Sequence, residues 1–207
     1  MIAIVDYGVG NLFSLRSSFA AIGADVTVTS DKKVLESADK IILPGVGAFA
    51  DAAEKLRSSG LGDCLVSLAR DGKELMGICL GMQLLFEKSY EYGEHNGLGL
   101  IKGNVRPISD VIPAGLKIPH IGWNALKITK QSPIFSKIND GECVYFVHSY
   151  YAAECDSAVI ATADYGAPLT AAVQSGNVFG CQFHPEKSGE VGLNILRAFV
   201  GGEGKIC

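Results

Sequence analysis

The 207-residue chain has no C-x-x-C pair, no run of Lys or Arg, and no apolar stretch long enough to span a membrane. Its six cysteines, at 64, 79, 143, 155, 181 and 207, are too sparse for a disulfide scaffold and lack zinc-ligand spacing. Neither disulfides nor a metal is expected, and no motif calls for a cofactor. Charged residues are scarce at 19%, with 18 basic against 22 acidic side chains and a net charge of −4, so no phosphate-binding stripe forms and nucleic acid is not an expected partner. A charge, Gly or Pro interrupts every apolar run before the roughly 18–20 residues that a membrane helix requires. The opening "MIAIVDYGVGN" has neither a basic leader nor a small-residue cleavage site, so a cytoplasmic chain without membrane association is predicted. Internal repeats and low-complexity linkers are also missing, and with 48% hydrophobic residues the length suits one domain over 1–207.

What is present is alternation. "IAIVDY", "DVTVT" and "KIILPG" read as strands, and "NLFSLRSSFAAIG" as a helix in which Leu12, Leu15, Phe19 and Ile22 recur at helical spacing between an Asn11 cap and a Gly23 stop. "AFADAAEKLRSSG" and "LGDCLVSLARDG" follow as helices, then "ELMGIC" as a strand and "GMQLLFEKS" as a helix. This βαβ rhythm predicts parallel pairing. From about residue 98, "NALKIT", "CVYFVHSYYA", "AVIATADYG", "LTAAVQSG" and "VFGCQFHPE" read as largely antiparallel strands. The closing "SGEVGLNILRAFV" reads as a helix capped by Ser188, with Val191, Ile195 and Phe199 on one face. The class predicted is α/β: a mixed, mainly parallel central sheet flanked by helices.

Chemistry concentrates at "GICLG", residues 77–81, which has the form G-x-C-x-G where a strand becomes a helix. This is the thiol version of the nucleophile elbow, a turn so tight that flanking glycines are needed for room. A helix N-terminus there lowers the pKa of the Cys79 thiol and leaves the N–H of Leu80 free to bind an oxyanion. The competing reading of the pentapeptide alone is a buried cysteine that fills a turn.

A thiol nucleophile requires a base, and the chain has four histidines. His184 in "FGCQFHPE" ends an apolar run, and Glu186 stands two residues on, where strand geometry puts both on one face and the carboxylate orients the imidazole. Pro185 helps to end the strand. His148 in "YFVHSYY" is the rival base, while His95 and His120 read as loop residues. A second oxyanion donor is offered by the Gly-rich turn "LPGVGAF", at Val46 and Gly47. Gly45, Gly47 and Ala50 also fit a dinucleotide-binding G-x-G-x-x-G/A pattern, but the strand ending in an acidic residue that this demands is replaced by helix-like sequence. "DYGVGN" fits that pattern less well, because Phe13 occupies the third-glycine position.

With Cys79 in "GICLGMQ" and the pair in "FHPE", the sequence resembles the class I glutamine amidotransferases over nearly its whole length. More narrowly, "DYGVGNLFSL", "LPGVGAF", "HIGWN", "YFVHSYY" and "QFHPEKSG" look like the glutaminase-subunit branch of imidazole glycerol phosphate synthases. The resemblance implies the flavodoxin-like amidotransferase architecture and a Cys79–His184–Glu186 triad that hydrolyses glutamine through a thioester. It implies oxyanion donors at Leu80 and in the Val46–Gly47 turn, and glutamine contacts from Gly47, Glu91, Ser149 and Tyr150. Gln83, one helical turn after Cys79, faces the same side and joins them.

Free ammonia protonates in water and ceases to be a nucleophile, so a partner must receive it directly. The resemblance implies a heterodimer with a (β/α)8-barrel cyclase that uses ammonia in histidine biosynthesis, and Asn11, Trp123, Asn124 and Lys187 are the interface candidates. Two readings of other classes compete: a silent regulatory module of the same fold, against which the intact triad argues, and a free-standing thiol hydrolase, against which "HIGWN" and "DYGVGN" argue. The glutaminase of another amidotransferase is the nearer alternative.

Overall fold

A computed structural model describes residues 1–201. The N-terminal half follows the predicted alternation: β1 (Ile2–Val5), α1 (Leu12–Ala21), β2 (Val26–Thr29), α2 (Lys32–Ser37), β3 (Lys40–Leu43), α3 (Phe49–Ser58), α4 (Leu61–Arg70), β4 (Glu74–Ile78) and α5 (Leu80–Leu84). Asn11 caps α1 as expected, its side chain accepting from the N–H of Ser14. The short α2 carries no sequence expectation of its own; Asp31 caps it.

The remaining elements are β5 (Phe86–Ser89), β6 (His95–Asn96), β7 (Ile101–Pro107), β8 (His120–Ala125), β9 (Lys127–Ile128), β10 (Cys143–His148), β11 (Tyr150–Ala153), β12 (Val159–Asp164), β13 (Pro168–Ser175), β14 (Val178–Cys181) and α6 (Gly189–Val200). The main sheet runs β2-β1-β3-β4-β14-β13-β12-β9. Its first five strands are parallel and in the doubly wound 2-1-3-4-5 order, and the other three are added antiparallel. Alternate strand residues serve two cores. Ala3, Val5, Ile41 and Leu43 pack with Leu35, Phe49, Leu56 and Leu65 of α2, α3 and α4. Ile2, Ile4, Ile42 and Met76 pack with Leu15 and Phe19 of α1 and Ile195, Leu196 and Phe199 of α6. Helices therefore cover both faces, as near-continuous apolar parallel strands require.

Three local expectations fail for tertiary reasons. "GMQLLFEKS" is not one helix: α5 stops after five residues, and Phe86–Ser89 pairs with β7 in a second sheet, β11-β7-β5-β6. "CVYFVHSYYA" is not one strand, because the chain leaves β10, paired with β8, and enters β11, paired with β7, at Ser149. Ser188 makes no helix-capping bond; its hydroxyl donates to the carbonyl of His184 at 2.6 Å and accepts the N–H of Tyr145 at 3.0 Å. Among the described residues, no helix is long and apolar enough to cross a membrane.

Candidate active site

Cys79 is the single residue between β4 and α5, and it turns the chain with φ 55° and ψ −113°. A side chain at positive φ is strained, and such strain persists only where neighbours hold it. Its N–H donates to the Cys181 carbonyl at 2.7 Å, and its carbonyl accepts from Gln83 N at 3.1 Å. The flanking glycines are a matter of space: a Cβ on Gly77 would stand 2.5 Å from the Gly81 carbonyl oxygen, and one on Gly81 only 1.9 Å from that of Leu43. The thiol is buried, yet it lines a cavity of 500 Å³ at the carboxyl ends of β3, β4 and β14. That is where doubly wound sheets bind their ligands.

His184 lines the same cavity, but not from a strand. β14 ends at Cys181, and Pro185–Lys187 forms a 3₁₀ turn that brings Glu186 back, placing its Oε1 at 2.8 Å from His184 Nδ1. The backbone is pinned by His184 N–H donating to Tyr145 O at 2.9 Å, and by the Ser188 bonds. Burial by itself lowers the His184 pKa; hydrogen bonds to Cys79 and Glu186, and the negative charge of both, outweigh it and raise the value to about 9. The imidazole therefore holds a proton at neutral pH, between a sulfur and a carboxylate.

The rival His148 also lines the cavity, with both ring nitrogens engaged: Nδ1 lies 2.8 Å from Tyr150 O, and Nε2 lies 3.0 Å from His120 Nδ1. Burial drives its pKa down to about 4, so it is neutral. His120 is not a loop residue; it opens β8, buried and stacked on Phe146 and Tyr165. His95 lies in β6, partly exposed and away from the cavity wall.

The remaining predicted residues divide. Val46, Gly47, Leu80, Gln83, Glu91, Ser149 and Tyr150 all line the cavity. Gly47 has φ +93°, and Leu80, as the first residue of α5, has an N–H with no partner inside the helix. Gln83 Nε2 donates to Tyr150 O at 3.1 Å and to Gln182 Oε1 at 3.0 Å, while Glu91 Oε2 accepts the N–H of Phe49, the first residue of α3. Of the interface candidates, Trp123 is 57% exposed and lies edge-on to Tyr145, and Lys187 is exposed. Asn11 and Asn124 bond within the chain, Asn124 to the Asp164 carbonyl at 2.7 Å and to Ala125 N at 2.8 Å. Sequence reasoning missed Gln182, fully buried beside Cys79, and Tyr92, at the cavity mouth with its ring 6.4 Å from that of Tyr150. A polar residue inside the apolar run "VFGCQFH" was the available signal for the first. Among the described residues, no three His, Cys, Asp or Glu side chains are grouped to hold a metal ion.

A cysteine on a strand-to-helix elbow, facing a histidine with a buried carboxylate, in a doubly wound sheet, has the arrangement of a thiol-dependent acyl-transfer enzyme. The family model for glutamine amidotransferase class-I matches residues 3–201, and the chain belongs to that family. It is 50% identical over 202 residues to the imidazole glycerol phosphate synthase subunit HisH of Bacillus cytotoxicus, covering 97% of this chain and 94% of that one. It is 51% identical over 200 residues to the HisH subunit of Methanothermobacter thermautotrophicus, covering 97% and 98%. Among solved structures, a glutamine amidotransferase crystal structure matches with a TM-score of 0.76 at 20% identity over 97% of each chain. PurLQS from Thermotoga maritima matches with a TM-score of 0.74 at 24% identity, covering 96% of each. At those identities the likeness is one of fold.

Proposed function

We propose that the chain is the glutaminase subunit of an imidazole glycerol phosphate synthase, hydrolysing glutamine at Cys79 and passing ammonia to a cyclase partner. The observation that carries this is Cys79, strained at the head of α5 and lining one cavity with His184, whose Nδ1 meets Glu186. The near-full-length similarity to HisH subunits supports the pathway.

The proposed chemistry follows from the positions. Cys79 Sγ attacks the side-chain carbonyl carbon of glutamine, and the carbonyl oxygen becomes an oxyanion stabilised by the Leu80 N–H and the Val46–Gly47 turn. His184 gives its proton to the amide nitrogen, the C–N bond breaks, and ammonia leaves a γ-glutamyl thioester. Water then attacks the thioester carbon and gives a proton to His184. The C–S bond breaks, releasing glutamate and the thiolate. Glu186 holds the imidazole with Nδ1 toward itself, which directs Nε2 at the sulfur. Gly47, Gln83, Glu91, Ser149 and Tyr150 form the wall against which glutamine is held. The partner is a (β/α)8-barrel cyclase that combines ammonia with PRFAR, making imidazole glycerol phosphate and AICAR. The exposed Trp123 and Lys187 face it.

The test is glutamate production from glutamine by the chain alone, with the cyclase subunit, with cyclase plus a PRFAR analogue, and by Cys79→Ala in the full mixture. Turnover that rises with the liganded cyclase and vanishes in the variant is expected. Unchanged turnover in Cys79→Ala would overturn the assignment of the nucleophile, and indifference to the cyclase would overturn the coupled role.

A further inference from the structure

Behind Cys79 runs a chain of buried and part-buried polar contacts that the triad does not use. Gln182 is fully buried, two residues before His184, and its Nε2 lies 3.8 Å from Cys79 Sγ. Its Oε1 accepts from Gln83 Nε2 at 3.0 Å. Gln83 Nε2 also reaches the Tyr150 carbonyl at 3.1 Å, and the same carbonyl lies 2.8 Å from His148 Nδ1. His148 Nε2 is 3.0 Å from His120 Nδ1, and His120 Nε2 is 3.5 Å from Asn124 Nδ2.

Two backbone carbonyls decide every proton in this chain, because a carbonyl only accepts. The Tyr150 carbonyl requires Gln83 to present its NH₂, and the second N–H of that group then requires the oxygen of Gln182. The nitrogen of Gln182 is thereby turned to the sulfur. The same carbonyl requires a proton on His148 Nδ1, which leaves Nε2 to accept from His120 Nδ1–H, and His120 Nε2 to accept from Asn124. At the far end the Asp164 carbonyl, 2.7 Å from Asn124 Nδ2, agrees with that direction. No member is free to flip alone without setting donor against donor or acceptor against acceptor.

We propose that Gln182 is a catalytic residue of this site: its Nε2–H donates to Cys79 Sγ and holds the sulfur as the attacking thiolate. This rests on the reading of Cys79 as nucleophile. A donor aimed at sulfur can serve both thiol and thiolate, but it binds the charged sulfur more strongly and so favours the state in which the proton resides on His184. An amide oxygen there would favour the unreactive thiol instead. Hydrogen bonds to an ionised group are the stronger kind, and one in a buried site is stronger still. Gln83, Tyr150, His148, His120 and Asn124 are positioning residues that keep the amide from turning over. The titratable groups around the sulfur are His184 and Glu186 on the turn after β14, His148 on β10, and Tyr7 after β1, whose hydroxyl donates to the Pro44 carbonyl at 2.7 Å.

Gln182→Met and Gln182→Leu keep much of the volume and remove the donor. The reading is the rate of Cys79 alkylation by iodoacetamide against pH, followed on the Cys79 peptide by mass spectrometry, since Cys143 is exposed and reacts as well. Both variants are expected to shift the alkylation midpoint up by about one pH unit, slow alkylation at pH 7 about 10-fold, and lower kcat/KM for glutamine in the cyclase complex at least as much. A measurement on the unaltered protein stands beside them. The Gln182 side-chain amide proton, followed by ¹⁵N-edited NMR, is expected to move with the Cys79 titration and to shift when Cys79 is alkylated. Folded variants with the unaltered alkylation profile, or an amide proton indifferent to the state of Cys79, overturn the proposal. If the unaltered complex makes no glutamate at all, the glutaminase reading fails instead.

Discussion

Gly81→Ala is the smallest change that tests whether the elbow and the Gly-rich turn must touch. The added Cβ would stand 1.9 Å from the Leu43 carbonyl oxygen, 2.8 Å from its carbon and 3.1 Å from the Pro44 carbon, all of them backbone. Relieving the first contact requires α5 and the end of β3 to part by roughly 1 Å, the displacement at which oriented catalysis loses about 100-fold. Pro44 opens the turn carrying Val46 and Gly47, so the gap opens between the two proposed oxyanion donors while Cys79, His184 and Glu186 keep their own supports. Overpacking of this kind costs about 1–3 kcal/mol, which in a chain of this size lowers the melting temperature by roughly 5 °C. The assays are glutamate production in the cyclase complex, iodoacetamide alkylation of Cys79, and thermal melting. Turnover about 100-fold down, with alkylation within about 3-fold of the unaltered rate, is expected, since alkylation needs no oxyanion donor. Unaltered turnover and melting would refute the reasoning, and loss of alkylation together with turnover would place the damage at the nucleophile.

Titration supplies two more predictions. The His184 pKa lies at about 9, above its usual 6.5, so the stabilisation from its proton is complete below pH 6.5 and is lost as pH rises through 9. Urea unfolding from pH 6.5 to 9.5 is expected to show that loss, and Glu186→Gln to reduce it; equal slopes in the two proteins would contradict the assignment. His148 is depressed to about 4, so its contribution is present above pH 6.5 and falls away by on the order of 3 kcal/mol as pH drops toward 4. His148→Gln, whose amide can donate to Tyr150 O and accept from His120, is expected to unfold at lower pH than the unaltered chain, as circular dichroism would record. Trp123, with 57% of its surface open and its ring edge-on to Tyr145, contributes little to the fold. Trp123→Ala should leave the melting temperature within about 2 °C while weakening cyclase binding at least 10-fold, as a buried interface tryptophan does; an unchanged Kd by calorimetry would remove it from the interface.

The legible part of the site was its local part. "GICLG" contains its own explanation, because the glycines, the turn and the helix start lie within five residues and depend on backbone sterics alone. The His184–Glu186 pairing was also legible, although for an incorrect reason. Alternation on a strand suggested a shared face, whereas a 3₁₀ turn started by Pro185 brings the carboxylate to the ring. What local pattern misjudged were segments whose partners are far along the chain. Phe86–Ser89 has helix-compatible residues and becomes a strand because β7 lies alongside. His120 follows Pro119 in "KIPHIGWN", which suggested a loop, and is nonetheless buried, because Phe146, His148 and Tyr165 close around it.

By itself the sequence determined the α/β rhythm, the elbow at Cys79, and the residue types the chemistry requires. Each follows from steric and hydrophobic preferences over a few neighbouring positions. Only the tertiary structure decided which residues meet. Parallel pairing of β14 with β4 sets Cys181 opposite Ile78, so the chain leaving β4 meets the chain leaving β14, residues 79 and 184 share one cavity, and Gln182 lies buried beside the sulfur. The switch from β10 to β11 at Ser149 aims the Tyr150 carbonyl at Gln83 and His148, and that carbonyl in turn fixes how Gln182 presents its amide. Such choices depend on register between strands well separated along the chain, Ile78 and Cys181 being 103 residues apart, and no short-range preference encodes them.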